Sequence, residues 1–405
     1  MLIAVFSSRR LSCFSRTGES NTICRVIKLL LLIPTLDRSG AEKQLTLLAR
    51  HLPRPEFSVH VAVLTRSGPY QAELASAGIP VTVIEKRFKC DPLAYWKLRQ
   101  LLLEWQPDVL HTWLFAANSY GRLAAGARPS FPVVVSERCV DSWKSGWQLW
   151  LDRRLAGRTT RLVGNSQSVA DFYRDLGIPP DKLAVVPNGI DVPEIAVNAR
   201  QELRRELGIP EERHVIGFVG RLARQKRVKD LIWAFELIRV LHREVVFVIV
   251  GDGPERARLE QFADNLGIGP RVIFLGHRDD AQKLLPALDL FWLASDFEGL
   301  SNSVMEAMAA GLPVVASDIP PNRQLVVHGE TGYLAPVGDR VAFAQLAERL
   351  LVDSELAGQF GSAGRQRIAA EFSVARMVDG YARIYRDVLG QAFQPDASRK
   401  RQAGA

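Results

Sequence analysis

The stretch RVIKLLLLIPTLDRSGAEKQLTLLARHL, residues 25–52, decides the fold class. Its first part, 25–36, is apolar at consecutive rather than alternate positions. That is the pattern of a strand buried on both faces of a parallel sheet. Ser39 and Gly40 then open a segment, 39–52, with helical spacing. A buried strand leading straight into an amphipathic helix begins a βαβ unit. Outward from here the alternation continues. Strands read at 57–65, 80–85, 108–113, 132–137, 161–166 and 183–190, with helices around 70–77, over 92–105 and through Ala125.

After a polar segment, 191–213, the pattern restarts with HVIGFVGRL, 214–222. Further strands read at 244–254, 271–277, 288–295, 313–318 and 331–336. The chain is therefore read as α/β, with two Rossmann-like, doubly wound domains facing a central cleft. The expected division is an extension (1–24), an N-terminal domain (25–192), a C-terminal domain (193–375) and a C-terminal helix and disordered tail (376–405). The last helix, 373–389, can pack on either half. Sheets of this kind bind ligands outside the carboxyl ends of their strands. The candidate loops are thus 34–41, 111–118, 136–140, 220–226, 276–278 and 296–303.

Composition narrows the function classes. The 405 residues are 47% hydrophobic and 24% charged, as in an ordinary globular protein. No apolar run approaches the ~18 residues of a membrane span. The start, MLIAVF, lacks the basic segment of a secretory signal. The four cysteines (Cys13, Cys24, Cys90, Cys139) have no paired or metal-type spacing, so reduced thiols and a cytoplasmic location are expected. The net charge of +8 lies in the first half: residues 1–195 hold 25 Lys and Arg against 17 Asp and Glu. A basic half suits an anionic partner, or is simply a solvated face. No recognition helix or aromatic RNA-binding motif supports nucleic acid. No GxGxxG or Walker sequence supports a dinucleotide oxidoreductase or an ATPase.

Three stretches carry chemistry. In DFEGLSNSVMEAMAAGLPVVASD, 296–318, a strand exits into a loop and then a helix, with Ser301 or Ser303 as N-cap and Gly311 as stop. Free backbone N–H groups at such a terminus suit a phosphate. Glu306, expected in the first turn, either complements the helix dipole or grips neutral hydroxyls such as a ribose diol. Glu298 in the loop then faces a sugar. In GFVGRLARQKRVKDLI, 217–232, Arg221 offers a bidentate fork and Lys226 a compact charge, enough to neutralise a diphosphate without a metal. A basic solvated turn is the alternative. In IPTLDRSGAEKQL, 33–45, Gly40 lets backbone approach a ligand closely. No Asp-x-Asp metal motif occurs in the chain.

The order SGAE, HTW, NS, PNGID, VGRLARQK, VGDGP, FLGH, FEGLSNSVMEAMAAGLPVVASD, GETGYL resembles the family-four retaining glycosyltransferases of the GT-B fold, from residue 26 to 390. The resemblance implies roles. Arg221 and Lys226 bind the donor diphosphate, Glu306 the ribose hydroxyls and Glu298 the transferred sugar. Leu300, Ser301 and Asn302 offer backbone N–H groups to the diphosphate, with Gly40 beneath it from the other domain. The implied reaction moves a sugar from a nucleotide sugar to the hydroxyl of a glycan or lipid-linked acceptor, with retention and without metal or other cofactor. Two departures stand out. The first loop reads Ser39-Gly40 where Gly-Gly is common, and His111-Thr112-Trp113 replaces the frequent His-x-His. His111 is then a site residue or a core residue, and Trp113 a surface for an acceptor. His111, Trp113, Asn118 and Glu137 are the acceptor-side candidates. A nucleotide-sugar epimerase and a non-catalytic carbohydrate or nucleotide-sugar binding protein are the alternatives.

The segment VDSWKSGWQLWLDRRLAGR, 140–158, places Trp143, Trp147 and Trp150 at helical spacing with Leu151, flanked by Lys144, Arg153, Arg154 and Arg158. It reads either as a face for an anionic membrane surface, making the protein peripheral at the inner membrane face, or as tryptophans packed inside.

Overall fold

The computed structural model describes residues 26–141, 143–194 and 198–393. The expected extension 1–24 and the end of the tail lie outside them. The elements follow in chain order. First come β1 (Ile27–Thr35), α1 (Gly40–His51), β2 (Phe57–Arg66), α2 (Tyr70–Ser76), β3 (Val81–Val83), α3 (Pro92–Trp105), β4 (Val109–Trp113), α4 (Leu114–Ala124), β5 (Val133–Glu137), α5 (Gly146–Leu155), β6 (Arg161–Gly164), α6 (Gln167–Asp175) and β7 (Leu183–Val185). Then come α7 (Ala199–Glu206), β8 (His214–Val219), α8 (Val228–Leu241), β9 (Val245–Val250), α9 (Arg256–Asn265), β10 (Val272–Gly276), α10 (Ala281–Leu284), β11 (Leu290–Leu293), α11 (Asn302–Ala309), β12 (Val314–Ser317), α12 (Pro320–Leu325), β13 (Tyr333–Ala335), α13 (Arg340–Val352), α14 (Ser354–Glu371) and α15 (Val374–Phe393).

The strands form two parallel sheets, ordered β3-β2-β1-β4-β5-β6-β7 and β10-β9-β8-β11-β12-β13. Both are Rossmann-like, as the strand–helix alternation implies. In β1 the run Leu29–Ile33 is fully buried, with Leu31 in register with Val61 on one side and His111 on the other. Burying each such side chain is worth about 1.5–3 kcal/mol, which accounts for the unbroken apolar run. The second sheet repeats the arrangement, with Val245–Val250 buried throughout beside β8.

Two compact units result. One runs to Ser136 and takes in Arg154–Arg161 and the chain from Ala382; the other comprises Glu137–Arg153 and Leu162–Tyr381. The last helix, α15, is thus shared between the two units. Some strands end sooner than their apolar runs. The one read over 183–190 stops at Val185, because Pro187 has no N–H for the ladder and the chain then turns. The one read over 244–254 stops at Val250. Gly251 has φ +136°, and a Cβ there would overlap the Gly220 carbonyl, so only glycine permits this approach.

Candidate functional site

In the second unit three loops converge. The loop after β8 carries Arg221 and Lys226. Its backbone is held by the loop after β9: Leu222 N–H donates to Asp252 O at 2.9 Å and Glu255 N–H to Leu222 O at 3.0 Å. The loop after β11 carries Glu298. Asp296 N–H donates to Gln225 O at 2.9 Å, and the Gln225 amide donates to Phe297 O at 2.6 Å. These bonds bring Lys226 onto Glu298, and its ammonium donates to Glu298 Oε1. Ser295 Oγ donates to the same oxygen at 2.7 Å. Arg221 is exposed.

The helix α11 begins where this loop ends. Ser301 is its N-cap and accepts from Val304 N–H at 3.4 Å. Glu306 is therefore in the second turn, not the first. With Ser301 rather than Ser303 capping, the helix starts two residues earlier, and no acidic residue complements its dipole in the first turn. The helix ends at Gly311 as read. Leu312 N–H bonds Ala307 O and Gly311 N–H bonds Met308 O, a Schellman closure. Glu306 lines a cavity of about 500 Å³ together with Asp191, Glu194, Glu202, Lys283 and Ala309. A wall this rich in carboxylates accepts hydroxyl donors and repels phosphates. Among the described residues no three His, Cys, Asp or Glu side chains are grouped to hold a metal ion.

Comparison with known proteins fits this arrangement. Residues 38–194 match the family described as Glycosyltransferase Family 4, and 199–367 match Glycosyl transferases group 1. The chain belongs to glycosyltransferase family 4. It is 30% identical over 321 residues to the GDP-mannose-dependent alpha-mannosyltransferase of Mycobacterium tuberculosis, covering 74% of this chain and 81% of that one. It is 28% identical over 354 residues to the Escherichia coli UDP-Gal:alpha-D-GlcNAc-diphosphoundecaprenol alpha-1,3-galactosyltransferase, covering 84% and 91%. A Bacillus anthracis relative, 34% identical, is matched over 58% of its length. The solved structure of Anabaena Alr3699/HepE in complex with UDP-glucose superposes with a TM-score of 0.81 at 25% identity, covering 89% of this chain and all of that one.

The acceptor-side candidates of this glycosyltransferase do not form one constellation. In the first unit His111 is fully buried, with Nδ1 2.7 Å from Tyr385 OH and Nε2 2.8 Å from Ser136 Oγ. Trp113 has no exposed surface, and its indole N–H donates to His111 Nδ1 at 3.3 Å. In this arrangement Trp113 offers no face to an acceptor, because its ring is spent on the core. Asn118 accepts from Thr112 Oγ1 at 2.7 Å and donates to Ser136 O at 3.1 Å. Gly40 is the first residue of α1, after the N-cap Ser39. Leu114, directly after β4, has φ +69°, a strained value for leucine at a strand end where ligands bind.

Glu137 falls in the second unit, inside a buried ionic cluster. Lys144 Nζ lies 3.4 Å from Glu137 Oε1, 2.9 Å from Asp141 Oδ2 and 3.0 Å from Asp152 Oδ2, and it donates to Tyr173 OH at 2.7 Å. Burial opposes the Lys144 charge, but Glu137, Asp152 and Asp141 more than offset it and hold its pKa above the ordinary lysine range. Lys144 is thus a core cation rather than part of a basic surface.

Four residues that sequence reasoning passed over also shape these loops. In the first unit, Glu42 accepts from Thr35 Oγ1 at 2.8 Å and from Ser39 Oγ, which closes the loop before α1. In the second unit, buried Arg138 donates to Asn188 Oδ1 and, at 3.1 Å, to Tyr381 OH. Asn188 Nδ2 in turn donates to Leu300 O at 3.1 Å and Asn302 Oδ1 at 2.6 Å. Arg138 and Asn188 therefore brace the loop that caps α11. The loop also touches Arg138 through Gly299, where a Cβ would overlap the Arg138 carbonyl. The fourth is Ser295. The PNG at 187–189 is visible in the sequence, but nothing there says what Asn188 reaches.

Proposed function

We propose that this glycosyltransferase moves a sugar from a nucleotide-diphosphate sugar to a hydroxyl of a glycan or lipid-linked acceptor, with retention and without a metal. The observation that carries the reading is Lys226, set on Glu298 one loop ahead of the α11 N-terminus. An ammonium has three donors. One goes to Glu298, and two remain for the diphosphate. Exposed Arg221 adds a fork, and the N–H groups at the start of α11 add a dipole end. Together they stabilise a leaving diphosphate where its charge develops. Glu306, in its acidic cavity wall, takes ribose hydroxyls.

Glu298 Oε1 is committed to Lys226 and Ser295. A carboxylate so engaged is a poor nucleophile, which favours departure and attack on one face of the sugar over a covalent intermediate. Its other oxygen is left to orient the sugar. The names of the relatives, two of which specify nucleotide-sugar donors and one a diphosphoundecaprenol acceptor, support this donor class and a lipid-linked acceptor. The free thiols of Cys90 and Cys139 support a reducing, cytoplasmic setting, with an anionic inner membrane face as partner.

The test is a thermal-shift and hydrolysis panel of nucleotide sugars in EDTA, on wild type and Glu306→Ala. One donor should stabilise the wild type, less so the variant, with no change on chelation. The anomeric configuration of the transferred sugar, read by NMR, checks retention. A folded protein that answers no nucleotide sugar would overturn the reading. Donor conversion with no acceptor present would favour an epimerase.

A further inference from the structure

The helix α5 and the turn before it are oriented against the usual pattern. Trp143, Trp147 and Trp150 are 57%, 60% and 64% exposed. Asp152, the sole acid between residues 143 and 158, is 2% exposed and bonded to Lys144 inside the second unit. At 100° per residue Trp147, Trp150, Leu151 and Arg154 share one face, with Arg153 beside it. Arg153 and Arg154 are exposed and make no ion pair among the described residues. Within residues 143–158 the outward side is therefore marked by tryptophan and arginine, with no exposed acid.

From this we infer that the Trp143–Arg154 face docks on an anionic lipid bilayer. The inference rests on the membrane partner named above and identifies the surface that meets it. An indole has an apolar ring and one N–H, and it is at home at the headgroup level. Arginines beside it meet lipid phosphates, and within residues 143–158 no exposed carboxylate opposes them. The helix has ten residues, and no described helix is long and apolar enough to cross a membrane, so α5 lies in the interface plane. The Lys144–Asp152 pair gives the face a rigid base, since it ties the turn bearing Trp143 to the helix bearing Trp147 and Trp150.

The experiment is co-sedimentation of the full chain with phosphatidylcholine vesicles, with and without about 30 mol % phosphatidylglycerol, at about 0.1 M and about 0.5 M salt. Wild type should bind the anionic vesicles at low salt with a blue shift of tryptophan emission, and should release at high salt. Trp147→Ser/Trp150→Ser and Arg153→Glu/Arg154→Glu should each bind about tenfold more weakly, with unchanged circular dichroism and melting temperature. Absence of wild-type binding, or equal binding by both variants, overturns the proposal. Concentration-dependent self-association abolished by the tryptophan variant, without vesicle binding, also overturns it and makes the face a contact between copies. The donor panel is read separately. Vesicle binding without any donor response leaves docking standing and removes the transfer reading; a donor response without vesicle binding does the reverse.

Discussion

Lys226 and Glu298, 72 residues apart, are bonded to each other. The cation proposed for phosphate and the carboxylate proposed for sugar form one unit, and Ser295 Oγ donates to the same carboxylate oxygen. Neither side chain is free to drift, since both are largely buried. Lys226→Ala should raise the barrier by about 2–4 kcal/mol and so cut kcat by roughly thirty- to a thousandfold, as for other charge-stabilising donors. Steady-state kinetics with the preferred donor measures this. Wild-type turnover in the variant removes Lys226 from the mechanism.

Glu298→Gln keeps the shape and removes the charge that holds Lys226. If Glu298 orients the ammonium, donor KM and kcat should both worsen, and Lys226→Ala should add little on top of it. A double-mutant cycle reads this coupling directly. Additive losses would mean that the two residues act independently.

Asn188→Ala removes the donor to Leu300 O and the acceptor for Arg138. The buried guanidinium loses one partner, at about 1–3 kcal/mol of stability. Gly299→Ala sets a methyl against the Arg138 carbonyl and should displace the same loop. Both variants should weaken nucleotide-sugar binding in calorimetry while leaving the secondary structure intact. An unchanged Kd in both would show that the brace does not position the donor.

Lys144→Met leaves three buried carboxylates without their cation and should cost about 3–5 kcal/mol. The folded pKa of Lys144 is raised above its ordinary value of 10.5. Its contribution is thus whole below that pH and is lost as pH rises through the folded value. The gap in melting temperature between wild type and Lys144→Met should be wide at pH 8 and should narrow only above about pH 10.5. A gap that closes near neutrality would contradict this charge assignment.

Cys139 is half-buried, and burial, with the nearby charges of Asp141 and Glu298, pushes its thiol up to about 12. Cys90 is exposed. Since the thiolate reacts, iodoacetamide at pH 8 should label exposed Cys90 well before Cys139, whose thiolate is scarce at that pH. Peptide mass spectrometry with time resolves the two. Equal labelling would show that the loop after β5 opens in solution.

What the sequence alone determined was whatever local pattern controls. The unbroken Leu29–Ile33 run specified a doubly buried strand, and its repetition specified two Rossmann-like sheets. The helix read over 92–105 and the stop read at Gly311 are both kept by the structure. Residue type also marked Arg221, Lys226 and Glu298 after their strands, and Glu306 in the helix beyond, as candidates. Tertiary structure decided what such groups touch, because that depends on contacts between segments tens to hundreds of residues apart. Trp113 and His111 look like site residues beside each other in sequence, yet Tyr385 and Ser136 bind them into the core. Lys144 reads as a surface cation until Asp152, Asp141 and Glu137 close around it. Trp147 and Trp150 show helical spacing either way, and only the inward turn of Asp152 sends them out to solvent. Periodicity records which residues share a face of an element. It does not record which neighbour, if any, covers that face.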